Sequence, residues 1–166
     1  MDKIFIIILY YFYIINIILC EDKYFIRINN DTNNEFIFEL KDTKAANELK
    51  KKLPFTVKMT NLNNNEIYYK FSNDFTKNEK SVGTINIGDI HLYKSDTLVL
   101  FYKTFSTSYK YTEIGKLVDT TGLETIIGNG EALVQWCLNK CSDEKLTSSF
   151  NKSNYLVLFG LILLLF

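Results

Sequence analysis

LVLFYKTFSTSYKYTEIG, residues Leu98 to Gly115, holds two strands and the loop between them. With Thr97 in front, the segment Thr97–Tyr102 is continuously apolar rather than alternating. That pattern predicts a strand buried on both faces. Tyr111–Val118 alternates enough to form a second strand. The connecting loop, Lys103–Tyr109, offers several hydroxyls and two aromatic faces between two well-defined strands. Such a mixture suits a peptide or small polar ligand.

Upstream, Phe25–Ile28 and Glu35–Leu40 are strand-like and are joined by the turn-forming NNDTNN. Asp42 can cap a helix in which Ala46, Leu49 and Leu53 share one face, with Lys50, Lys51 and Lys52 near its negative end and Pro54 as its stop. Phe55–Thr60 and Glu66–Phe71 form a strand pair across Asn63-Asn64-Asn65, residues that tolerate left-handed turns. Ile85 and Ile87 are expected to face Ile90 and Leu92 across a tight hairpin at Gly88-Asp89. Downstream, Gly122–Ile127 reads as a short helix and Ala132–Leu138 as a closing strand with Trp136 in the core. Many short strands, two short helices and no repeat predict a mainly β protein, a closed β-barrel.

The ends differ from the middle. Ile4–Leu19 is an almost unbroken apolar run after Asp2 and Lys3, closed by Cys20 and Glu21-Asp22. This is the pattern of a signal peptide over residues 1–20. Residues 21–140 then form the domain, 141–154 a polar spacer, and 155–166 an apolar tail, YLVLFGLILLLF. A twelve-residue helix rises about 18 Å, short of a hydrocarbon core of about 30 Å. A polar spacer before a short apolar tail is the pattern of a GPI-anchor signal, with a plain membrane tail as the alternative. The chain is therefore expected in the secretory pathway, on the extracellular face of the cell membrane. Cys137 and Cys141 suit a disulfide in that compartment, provided the strand ends near Leu138 and the chain turns through Asn139-Lys140. Asn30-Asp31-Thr32 is a glycosylation sequon placed in a hairpin turn. Nineteen basic residues balance nineteen acidic ones, and Arg27 is the single arginine, so nothing favours nucleic acid.

From Leu53 to Leu138 the chain resembles the cyclophilin-like fold family of small barrel domains. The resemblance is carried by Leu62-Asn63-Asn64-Asn65-Glu66 with Tyr68, by Gly83-Thr84-Ile85 with Gly88-Asp89, by Leu92-Tyr93 with Ser95-Asp96, and above all by Leu98–Gly115. It implies a cyclophilin-type barrel but carries over no settled activity. Two positions depart from the family pattern. Lys94 stands where glycine is usual, and Glu113 where arginine is usual, just before Ile114-Gly115. An anion in place of a cation reverses the local field at Glu113.

The candidate ligand-binding residues are Thr104, Phe105, Ser106, Thr107, Ser108, Tyr109 and Glu113. The plainer reading of those hydroxyls is that they satisfy backbone groups at a barrel corner. Peptidyl-prolyl isomerisation is the enzymatic alternative, and only Arg27 could donate to a prolyl nitrogen. It would have to point into a groove beside an apolar pocket, and an exposed strand position is the simpler expectation. His91, the single histidine, alternates with Ile90 and Leu92 and is expected to face outward. With Cys137 and Cys141 it makes three metal ligands at unsuitable spacing, so no metal is expected. Gly83 and Gly88 have phosphate-loop spacing, but Asp89 stands where lysine is required, so no cofactor is expected. A non-catalytic binding module is the favoured function.

Overall fold

A computed structural model describes residues 22–128 and 130–142, together with Ile7, Ile8 and Tyr11. The expected tail lies outside the described residues, as does the leader apart from those three positions and the spacer apart from Cys141 and Ser142. The elements run β1 (Tyr24–Ile28), β2 (Glu35–Leu40), α1 (Lys44–Lys50), β3 (Phe55–Leu62), β4 (Glu66–Lys70), β5 (Lys80–Ser81) and β6 (Thr84–Ile85). They continue with β7 (Asp89–Tyr93), β8 (Thr97–Phe101), β9 (Phe105–Ser106), β10 (Lys110–Leu117), α2 (Leu123–Ile127) and β11 (Ala132–Leu138).

Short polar turns set the antiparallel register. Asn29 and Asn30 (φ 57° and 56°) carry the β1–β2 turn, and Asn63 and Asn64 (both φ 54°) the β3–β4 turn, bringing Glu66 opposite Leu62. Asparagine reaches this left-handed region at lower cost than most side chains. Lys94 (φ 56°) occupies the same region in the β7–β8 turn, which gives a backbone reason for glycine to be usual there.

The strands lie in the order β2-β1-β11-β3-β4-β8-β7-β10, and β10 returns to pair with β2, closing an eight-stranded barrel. Gly115 sits at that seam, opposite Leu40 on one side and Ile90 on the other, beside a bulge in the β7–β10 register. Inward-facing Ile26, Ile28, Phe38, Met59, Ile67, Leu98, Leu100 and Trp136 fill the interior. Trp136 is 0% exposed and packs edge-on to Phe38 (5.4 Å) and stacked on Phe55 (5.8 Å). Alternate residues of β8 serve two cores. Leu98 and Leu100 join the interior, whereas Val99 and Phe101 join a second cluster with Ile85 and Tyr111. This is the structural reason that β8 is apolar throughout.

The structure alters four expectations. The helix is capped by Thr43, not Asp42: Thr43 Oγ1 accepts from the Ala46 N–H (3.1 Å). There is no hairpin across Gly88-Asp89, because Asn86 and Asp89 close a local turn and the Gly88 N–H donates to Phe101 O (2.8 Å). With those donors used, β6 pairs with β9, while β7 pairs with β8 and β10. Arg27 is not exposed. It is 4% accessible, paired with Glu35, and donates to the Cys141 and Ser142 carbonyls. His91 faces away from the barrel interior, as the alternation implies, yet is only 4% exposed because Phe101 and Tyr111 cover it.

Cys137 and Cys141 form a disulfide with Cα atoms 5.1 Å apart. The strand ends at Leu138, and Asn139 (φ 64°) turns the chain back, which brings the two cysteines within bridging distance.

Candidate functional site: a cleft on the outer wall of the barrel

The β6–β9 ribbon lies over the outer face of β4, β8, β7 and β10. Ile85, Val82 and Phe105 anchor it on Val99, Phe101 and Tyr111. Side chains on that wall follow from strand alternation: Ile67 points in, so Glu66 and Tyr68 point out, and likewise Tyr93 from β7 and Tyr111 from β10. The ribbon leaves a cleft on each side, and the two linings share no residue.

The first cleft, about 510 Å³, has Glu66 and Asn65 in its lining, tyrosine walls from Tyr68, Tyr93, Tyr109 and Tyr111, and the 105–109 loop along its rim. Its volume lies in the range of small-ligand sites. Tyr93 and Tyr109 meet edge-on at 5.9 Å, and Tyr93 and Tyr111 pack in a tilted arrangement at 5.8 Å, which fixes the wall. Tyr109 is 61% exposed, an unusual position for a large aromatic ring, and marks the mouth.

Glu66 is the one carboxyl in this lining, and no lysine, arginine or histidine lines the cleft among the described residues. The residue is 9% exposed, and its carboxyl has no hydrogen-bond or ion-pair partner among the described residues. Desolvation pushes its pKa from 4.5 up to about 7. Burial also pushes the Tyr111 hydroxyl up to about 12, and the nearby Glu66 charge adds to this. The Asn65 Oδ1 is buried without a partner as well.

The second cleft, about 480 Å³, is lined by Lys41, Lys80, Asp89, His91, Glu113 and Lys116, among others. Its charges are largely matched. Lys41 Nζ lies 2.6 Å from Glu113 Oε1, and that bond holds the Glu113 carboxyl below its ordinary range. Burial holds His91 below its ordinary 6.5, partly opposed by Asp89 and Glu113.

Of the residues singled out in the sequence, Phe105, Ser106, Thr107, Ser108 and Tyr109 line the first cleft together. Thr104 stands outside it, its Oγ1 accepting from the Ile87 N–H at 3.1 Å. Glu113 belongs to the second cleft. Within the loop, Thr107 Oγ1 also accepts from the Tyr109 N–H, so part of the hydroxyl set does the backbone-satisfying work of a corner. Asn30 is exposed in the β1–β2 turn. Glu66, the chemically most distinctive residue of the site, was not among the sequence candidates. The available signal was an acidic residue opening a strand directly after an asparagine turn, with Tyr68 two positions on and therefore on the same face.

These features define a class: a small closed barrel with a filled interior whose ligand-sized cleft lies on its outer wall, under a two-stranded ribbon. The chain belongs to the cyclophilin-like family, which matches residues 27–136. No curated protein matches the chain.

Proposed function

We propose that this chain is a surface-displayed, non-catalytic binding module that holds a peptide segment or small polar molecule in the Glu66 cleft. The observation that carries this reading is Glu66 itself. A carboxyl partly desolvated at the wall of a cleft, with no side-chain partner, favours its neutral form, and groups shifted in this way cluster at functional sites. Isomerisation is less well supported, because Arg27 is engaged by Glu35 and two carbonyls and lines neither cleft. The test is a nuclear magnetic resonance screen of the isotope-labelled full chain, in detergent, against short peptides and polar fragments. Ligands are expected to shift resonances of Asn65–Tyr68 and Phe105–Tyr111 together. Shifts confined to Lys80–His91 would move the site to the second cleft and overturn the reading.

The surface location rests on the apolar leader, the apolar tail after a polar spacer, the Cys137–Cys141 pair and the exposed Asn30 sequon. In a eukaryotic host, the chain is expected at the outer surface, released by a phospholipase that cleaves glycolipid anchors. Its gel mobility is expected to shift on deglycosylation, and the shift to vanish in Asn30→Gln. Retention inside the cell with no such shift would remove the proposal.

A further inference from the structure

We infer that the Glu66 cleft is built for an organic ammonium ion carrying a short apolar chain, with Glu66 as counter-ion and the tyrosine rings as walls. This rests on the binding-module reading and names the ligand class for the same site. The lining decides the sign of the ligand. It presents one carboxyl and four tyrosines and, among the described residues, no cationic side chain, so no charge in the lining attracts an anion, while the carboxylate attracts a cation. Two groups of the lining are acceptors: the Asn65 Oδ1, buried without a partner, and the Glu66 carboxylate once ionised. An ammonium group has three donors and no acceptor, and so complements both.

A bare metal ion is a poorer match. Hard divalent cations favour several carboxylate ligands, whereas Glu66 is the one carboxyl here and no group of three or more His, Cys, Asp or Glu side chains occurs among the described residues. Ring faces instead favour an organic cation that also has apolar surface to bury. Outside the lining, the Lys94 ammonium lies 5.5 Å from the centroid of the Tyr93 ring, so one wall ring already carries a cation. Val99, Phe105 and Leu62 supply the apolar part of the lining.

Binding couples to protons. A neutral Glu66 has to release its proton to act as counter-ion, so the cation exchanges for a proton and affinity rises with pH. The titratable groups facing Glu66 across the cleft are Tyr68 from its own strand, Tyr93 from β7, Tyr111 from β10 and Tyr109 from the loop. Tyr111, pushed up to about 12, stays neutral through this range. His91, behind Tyr111, is held below 6.5 by burial and is uncharged over most of it.

The test is calorimetric titration of the full chain with n-pentylammonium, 1-pentanol and methyl glucoside at pH 6 and pH 8, with tyrosine resonances followed in parallel. Pentylammonium is expected to bind at least about tenfold more tightly than pentanol at pH 8. Its affinity is expected to fall about tenfold at pH 6, as the ionised, binding-competent fraction of Glu66 falls. Proton release should appear as a heat that depends on the buffer. Glu66→Gln is expected to lose the preference for the ammonium while still binding pentanol. If wild type binds pentanol or the glucoside as tightly as the ammonium, or if Glu66→Gln keeps the preference, the ligand class is wrong and the binding module stands. If no probe moves the Tyr93, Tyr109 or Tyr111 resonances at either pH, the binding reading falls with it.

Discussion

Gly115→Ala is expected to destabilise the barrel by about 4 kcal/mol, enough to unfold a marginal domain. A Cβ added at Gly115 would lie closer than 3.0 Å to the Glu39 carbonyl oxygen, with Glu39 C at 3.2 Å and Leu40 Cα at 3.3 Å. All three are backbone atoms, so no rotamer change relieves the contact. The strands themselves have to part. They are β10 and β2, the pair that closes the barrel, and the Lys41 N–H to Ile114 O bond (2.8 Å) lies at the same seam. The cost therefore combines overpacking with weakened hydrogen bonds at the one junction the closed sheet depends on. Gly130→Ala is the control, because an added Cβ there has nothing within 4 Å. Chemical denaturation monitored by Trp136 fluorescence checks both variants. A Gly115→Ala protein within about 1 kcal/mol of wild type would mean that the seam is not close-packed.

Strand existence was legible wherever the signal was local. Glu35–Leu40 and Ala132–Leu138 have in the structure the bounds their patterns predict, because turn residues bracket each run. The uniform apolarity of β8 correctly signalled burial on both faces. What the sequence could not disclose was which strand covers which. Gly88-Asp89 carries a hairpin signal, yet the Gly88 N–H is taken by Phe101, thirteen positions away, and β6 leaves the barrel to pair with β9. The same non-local covering misleads at Arg27 and His91. Period-two alternation assigns them to the outer face of the wall, and only the assembled fold shows what lies over that face. Half of the site was visible as the hydroxyl- and aromatic-rich 105–109 loop. The other half, Glu66, lies far away in sequence. Its meaning comes from desolvation, which depends on the ribbon above it rather than on its neighbours in the chain.

Glu66→Gln is expected to stabilise the unliganded protein above neutral pH and to leave it unchanged in acid. Below pH 4.5, its ordinary value, the carboxyl is neutral in both folded and unfolded chains and costs nothing. Between 4.5 and about 7 the unfolded chain ionises while the folded one holds its proton, so stability falls as pH rises. Above about 7 the folded protein carries a partly desolvated charge, and the loss is complete. Glutamine has nearly the same shape and never ionises, so the variant escapes this loss. The other shifted carboxylates act with the opposite sign. Glu48 and Asp119 are held low chiefly by backbone and side-chain hydrogen bonds from Thr76 and Thr121, so their stabilisation is lost as pH falls. They are common to both proteins and cancel in the comparison. Denaturant midpoints of wild type and variant should therefore coincide near pH 4.5 and separate by pH 8, with the variant the more stable. Curves that run parallel across the range, or a wild type that is the more stable at pH 8, would show that Glu66 is well solvated or paired. In that case its carboxyl could not be the stability-costing group on which the assignment of the cleft depends.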